Sequence, residues 1–161
     1  MKRIKILIFT TVFSLSFLTA QFAEKSKDFQ KFNGYFNFQY DDKTDKVYLE
    51  VKDLEKQFLY VSSLSSGIGS NDIGLDRGQL GSTQIVFFRK AGNKLMLVQP
   101  NLKFRALTDN VLESKSVEQA FAKSILGGFK IVEEKNGTYI IDITNFLMQD
   151  THGVVGRLKR N

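Results

Sequence analysis

An α+β fold, built mostly from antiparallel β-hairpins with one main helix at about residues 116–127, follows from three features of this sequence. Apolar and polar residues alternate with period two in several short runs, which places one face of a strand inward and the other outward. The dipeptide Asn136-Gly137 sits between two such runs, the strongest short signal for a type I′ hairpin. Ser116 followed by Gln119 spells a capping box, the apolar positions after it recur at helical spacing, and Gly127-Gly128 ends the run.

In chain order, residues 21–31 are polar and charged and read as a flexible leader. From Phe32 the chain alternates, with Phe32, Gly34, Phe36, Phe38 and Tyr40 on one face and Tyr35, Asn37 and Gln39 on the other. A polar turn over residues 41–46 leads to a second alternation at Val47, Leu49 and Val51, completing a hairpin. Residues 58–62 form a third strand. Residues 84–89 and 94–99 flank Ala91-Gly92-Asn93 as another hairpin, and Pro100, which lacks a ladder donor, ends it. Val117, Ala120, Phe121, Ser124 and Ile125 give the predicted helix its core-facing stripe. Residues 129–133 and 138–143 flank the Asn136-Gly137 turn. Thr144 or Asn145 caps a short turn of helix, and residues 154–159 begin another. Residues 32–160 contain no internal repeat, no low-complexity tract and no linker.

Lys2, Arg3 and Lys5 precede an apolar run from Ile6 to Leu18, and Leu18-Thr19-Ala20 is an acceptable cleavage site. Residues 1–20 are therefore expected to be a secretory signal peptide, shorter than the roughly 20 apolar residues a spanning helix needs. The expectation is an exported protein with no stable membrane insertion. Removal of the segment takes three basic residues from a net charge of +6. The remaining cations are dispersed among acids, which argues against a nucleic-acid partner. The sequence has no cysteine, so stability rests on the core, for which fifteen Phe and five Tyr supply apolar area.

Residues 67–81 carry five glycines, two aspartates and one arginine between two predicted strands. A loop of this length in a small domain is usually functional or packed upon itself. Gly67 and Gly69 begin a nucleotide-loop spacing, but Asp72 stands where the third glycine belongs and no Lys-Ser/Thr follows, so a phosphate site is excluded. Asn71, Asp72 and Asp76 are too few for a calcium site and do not have EF-hand spacing. Asp72 and Asp76 as an acid–base pair would make an independent hydrolase, a remote reading beside Arg77. The expected arrangement is a rigid Ω-loop in which Asp72 or Asp76 pairs with Arg77 and accepts backbone N–H bonds. Asn71, Asp72, Asp76 and Arg77 are thus the candidate structural or substrate-access residues. His152, beside Asp150, is a lone histidine and not a metal site. The strand face bearing Tyr35, Asn37 and Gln39, beside Tyr48, is a weak candidate for binding sugars or peptides.

Several separated stretches carry a resemblance: Gly34-Tyr-Phe36, Phe58-Leu-Tyr-Val-Ser-Ser63, residues 67–81, Leu97-Val-Gln-Pro-Asn101, Phe104-Arg-Ala106, Val117-Glu-Gln-Ala-Phe-Ala122 and Asp150-Thr-His-Gly153. In this order they resemble the N-terminal domain, of unknown function, of large secreted bacterial zinc-dependent metallopeptidases of the metzincin type. The resemblance runs from about Phe32 to the C-terminus. It implies a catalytic domain downstream, where H-E-x-x-H-x-x-G-x-x-H holds zinc and its Glu activates water. This chain has one histidine and no cysteine, so no zinc site and no catalytic residue is expected within it.

The resulting expectation is a non-catalytic N-terminal portion of an exported peptidase, incomplete at its C-terminal end. Its partners would be the downstream domain of the same polypeptide and possible contact with peptide substrate. The alternative is a free-standing secreted module that binds peptides or glycans.

Overall fold

The computed structural model of the chain describes residues 22–64, 66–67 and 74–160. The expected signal peptide lies outside them. Eight strands, β1 (Gln30–Phe32), β2 (Phe38–Asp41), β3 (Lys46–Val51), β4 (Phe58–Tyr60), β5 (Gln84–Ala91), β6 (Lys94–Gln99), β7 (Ser124–Lys135) and β8 (Thr138–Asp142), make an antiparallel sheet. Their order is β1-β2-β3-β8-β7-β6-β5-β4. Helices α1 (Val111–Ala120), α2 (Thr144–Leu147) and α3 (Val154–Leu158) complete an α+β, mostly β fold. Two compact units are present. One comprises the chain up to Asp53 with Ala91–Leu95 and Phe129–Leu147, the other Leu54–Lys90, Met96–Gly128 and Met148–Asn161.

In the first unit, β8 is the central strand, pairing Ile141 with Leu49 of β3 and with Ile131 of β7. Val51, Leu95, Ile141 and Phe129 are buried there. Asn136 and Gly137 both have positive φ (51° and 76°), as a type I′ turn requires. A bulge between Ile131 and Glu133 bends β7 against β8. Lys46 bonds Asp142 at 3.1 Å, and the Thr144 hydroxyl donates to Asp142 (2.7 Å) while accepting the Val47 N–H (3.0 Å). These bonds carry the β3–β8 pairing past the end of the ladder.

The first expected strand is two. Phe32 pairs with Phe38 across a turn at residues 33–37, with the rings stacked 4.6 Å apart. Gly34 opens this turn and its N–H lies 3.4 Å from Asn37 Oδ1, so the alternation from Phe32 to Tyr40 is interrupted. The inward side of β2 is also reversed: Gln39 and Asp41 are buried, whereas Phe38 and Tyr40 are half-buried. Gln39 is held by Glu50 at 2.9 Å, and the Asp41 carboxylate takes the Thr44 hydroxyl, the Lys43 N–H and the Lys25 ammonium. Bonded in this way, Asp41 and the Gln39 amide nitrogen can occupy an inward position, although Gln39 Oε1 is buried without a partner. The surface expected from Tyr35, Asn37, Gln39 and Tyr48 is therefore not formed, because Gln39 and Tyr48 are buried.

Residues 22–31 are likewise not a loose leader. Residues 22–25 are helical, a 3₁₀ turn follows at Ser26–Asp28, and β1 begins at Gln30. The ring of Phe22 lies 5.0 Å from Tyr48, and Phe29 stacks on Tyr48 at 5.5 Å. Burial of Phe29 and the packing of half-buried Phe22 on Tyr48 outweigh the polarity of their neighbours.

In the second unit, β4 pairs with β5 through Phe58↔Val86, Leu59↔Ile85 and Tyr60↔Gln84. Val86, Phe87 and Phe88 are consecutive and all buried, so both faces of β5 are covered. The main helix runs from Val111 to Ala120, displaced from the expected 116–127. Asn110 caps it, its Oδ1 accepting the N–H of Leu112 and Glu113, and the Ser116–Gln119 box is not used. No residue of α1 is buried. Ser124 and Ile125 belong to β7, as do Gly127 and Gly128, which do not stop a helix. A Cβ on Gly128 would stand 3.1 Å from the Met96 sulfur, so the glycine admits that close approach within a strand.

Ile141 is fully enclosed, and Ile141→Ala should cost about 2–5 kcal/mol in a urea melt. Burial pushes the Asp142 carboxyl upward, but its bonds from the Thr144 hydroxyl and N–H and from Lys46 prevail and hold it below the usual value. The native state thus binds fewer protons there than the unfolded chain. That stability is complete above the ordinary carboxylate range and is lost as pH falls through it. Asp142→Asn should lower stability at neutral pH and flatten its acid dependence in melts taken from pH 7 to pH 3.

Candidate functional site

The glycine-rich loop is drawn together at its base. Ser63 bridges Leu80, Leu64 N–H bonds the Gln79 carbonyl (2.9 Å), Gly78 N–H bonds the Leu64 carbonyl (2.7 Å), and Gly81 N–H bonds the Ser62 carbonyl (2.8 Å). A Cβ on Gly67 would lie 2.8 Å from the Arg77 backbone nitrogen, and one on Gly81 would collide with the Ser62 hydroxyl. Glycine at Gly67 permits close approach of the Arg77 backbone, and at Gly81 it leaves room for the Ser62 hydroxyl. Gly74 and Gly78 have φ of 64° and 79°, the left-handed region glycine enters without cost.

The C-terminal segment clasps this loop. Arg157 Nη1 donates to the Gly74 carbonyl at 2.6 Å, and the His152 ring lies 3.6 Å from where a Gly81 Cβ would stand. Leu75, between the anchored points, is buried. Asp150 fixes the start of α3 by accepting the N–H groups of Val155 and Val154 (2.9 and 2.7 Å). Those two bonds, the Val155 one first, hold its carboxyl below the usual value. Nε2 of His152 is buried with no hydrogen-bond partner.

The expected site residues fare unevenly. Asn71 and Asp72 lie outside the described residues. Asp76 and Arg77 are exposed, and no ion pair joins them among the described residues. Backbone bonds and the guanidinium of Arg157, rather than an Asp76–Arg77 pair, hold the described part of the loop. The Arg157 bond to Gly74, 83 residues away, and the His152 ring beside Gly81 had no local signal in the sequence. No group of three or more His, Cys, Asp or Glu side chains that would hold a metal ion occurs among the described residues.

A second feature of the same unit is a groove of about 570 Å³ beside β4. Leu59 and Ile85, paired across β4 and β5, form an apolar floor that is 66% and 38% exposed. Gln84, Gln99, Asn101 and Lys103 stand on its polar side. At the other edge of the same segment Phe104 stacks on Phe121 at 4.2 Å. Arg89 bonds Glu55 through two 2.8 Å contacts, and Lys123 bonds Glu118.

Residues 78–161, half of the chain, match the family described as "Domain of unknown function (DUF5117)". Residues 20–67 match "Domain of unknown function (DUF5118)". The chain belongs to the DUF5117 family and carries the DUF5118 segment before it. No curated protein and no solved structure matches the chain. The two matches meet at the glycine-rich loop: β1 to β4 fall in the first, β5 to β8 in the second. In the sheet, β8-β7-β6-β5 stand together between β3 and β4, so the strands of the second matched segment are neighbours while those of the first are divided.

Gly67→Ala should cost about 1–3 kcal/mol in stability, because the new methyl meets backbone and not a movable side chain. Arg157→Ala should leave β5 and β6 protected while the amides of Gly78 and Gln79 exchange faster, read by hydrogen–deuterium exchange.

Proposed function

We propose that this chain is the non-catalytic N-terminal portion of an exported zinc-dependent metallopeptidase, where it braces the catalytic domain and helps shape substrate access. The observation that carries this reading is the apolar surface on the clasped loop and C-terminal segment. Leu80 is 66% exposed and Met148 82%, and Val155 and Leu158 of α3, close to Met148 in sequence, are exposed as well. Exposed apolar residues on two segments joined by the Arg157–Gly74 bond are what a covering body would bury.

The stretches that resemble the peptidase family support the reading by their positions. Phe58-Leu-Tyr-Val-Ser-Ser63 makes β4 and the first limb of the loop. Leu97-Val-Gln-Pro-Asn101 ends β6 at the groove. Asp150-Thr-His-Gly153 supplies the α3 cap and the ring against Gly81. Zinc and its ligands belong, in this reading, to the catalytic domain; the lone His152 cannot assemble them. A free-standing secreted module for peptides or glycans is the alternative, and the groove beside β4 is the feature that favours it.

An antibody raised to residues 32–160 should detect a native gene product far larger than 18.3 kDa, whose peptide hydrolysis is lost on zinc chelation. A stable native product of about the chain's own size, without chelator-sensitive peptidase activity, would favour the binding module.

A further inference from the structure

The groove beside β4 has a chemistry of its own that bracing a neighbouring domain does not use. Its volume lies within the usual range for a ligand site, roughly 300–1,000 Å³. Leu59, Ile85 and Leu102 are exposed apolar residues that line it, and the β4–β5 pairing fixes the first two side by side. Burial of such side chains against an apolar group is favourable by about 25 cal/mol per Å² removed from water.

The polar side is biased towards donors. Gln84 Nε2 points to Gln99 Oε1 at 3.4 Å, which leaves the Gln99 amide NH₂ as a donor. Asn101 Oδ1 accepts the N–H groups of Lys103 (3.0 Å) and Phe104 (3.3 Å), so its NH₂ is also a donor. Lys103 is the charged residue of the lining, and no carboxylate partners it among the described residues. Its ammonium rests 5.5 Å from the Phe104 ring centre, which steadies the side chain over that segment. Arg105, two residues on, has no carboxylate partner among the described residues either.

An apolar floor, two amide donors and an unneutralised ammonium call for a ligand with an apolar side chain, a carbonyl and a negative charge. We propose that this groove binds the carboxyl-terminal end of a peptide whose last residues are apolar. The apolar side chain lies on Leu59 and Ile85, the last peptide carbonyl meets the NH₂ groups of Gln99 and Asn101, and the terminal carboxylate faces Lys103. Gln84 Oε1 accepts from a peptide N–H, which gives the chain a direction. Charge complementarity at Lys103 selects a free carboxylate over an amide. The assignment stands on the groove alone, whether or not the chain leads a peptidase.

The test is fluorescence anisotropy on the whole chain, with a labelled peptide ending in Leu-Leu as a free carboxylate, its carboxamide twin, and dodecanoate as competitor. The carboxylate should bind about threefold to tenfold tighter than the carboxamide. Lys103→Gln should erase that difference while leaving the carboxamide's affinity in place, and Leu59→Asp should weaken both peptides. Thermal melts of each variant separate lost binding from lost folding. Equal affinity for the two peptides, no binding to the folded chain, or a free-acid preference that survives Lys103→Gln would overturn the proposal. Tighter binding of dodecanoate than of either peptide would overturn the peptide assignment in favour of a lipid carboxylate.

Discussion

The pairing of β3 with β8 is the interaction on which the first unit depends. It joins residues 48–51 to residues 139–142, across nearly ninety positions of chain, and so carries a large loop-closure cost before any local contact repays it. Apolar burial on Val51 and Ile141 offsets that cost, and the ladder does not stop where the strands stop. Beyond it, Ile143 N–H bonds the Val47 carbonyl, Thr144 bridges Val47 and Asp142, and Lys46 meets the same carboxylate. The Thr144 hydroxyl, donating on one side and accepting on the other, satisfies the Val47 N–H and an Asp142 oxygen at this strand end. The type I′ turn at Asn136-Gly137 then presents β7 to β8 in fixed register.

This long-range pairing explains why the two family segments are better read as one structure than as two. Four strands from each are needed, and those of the second segment stand between β3 and β4 of the first. The glycine-rich loop is the place where the chain passes from one segment to the other. Close approaches at Gly67 and Gly81 and the Arg157 tether hold the described residues of the loop.

What the sequence revealed divides along physical lines. Hairpins whose turn residues have a conformational requirement were legible: Asn136-Gly137, Gly92 at the β5–β6 turn, and the polar run after Asp41 with Asp45 at positive φ. The main helix was displaced because two caps competed. Ser116 with Gln119 has the better spelling, but Asn110 caps the helix instead, and Ser124 and Ile125, expected on the helix, join strand β7. The inward face of β2 was misread because Gln39 and Asp41 are buried by virtue of partners, Glu50, Thr44 and Lys25, that no local pattern displays. The site divides the same way. Close approach could be inferred from glycine, whereas His152 and Arg157 reach the loop from far along the chain, and the groove collects residues from β4, β5 and the segment after β6.

A loop tethered by Arg157 and bearing exposed apolar residues would suit a bracing role, because an element held in place before it meets a partner loses less freedom on binding. The most direct measurement is hydrogen–deuterium exchange on the native gene product set against this chain alone. The account predicts that residues 148–158 and the amide of Leu80 are protected in the native product and exchange faster in the isolated chain, with β3 and β8 equal in both. Equal exchange at residues 148–158 in the two samples would contradict a covered clasp and with it the bracing role.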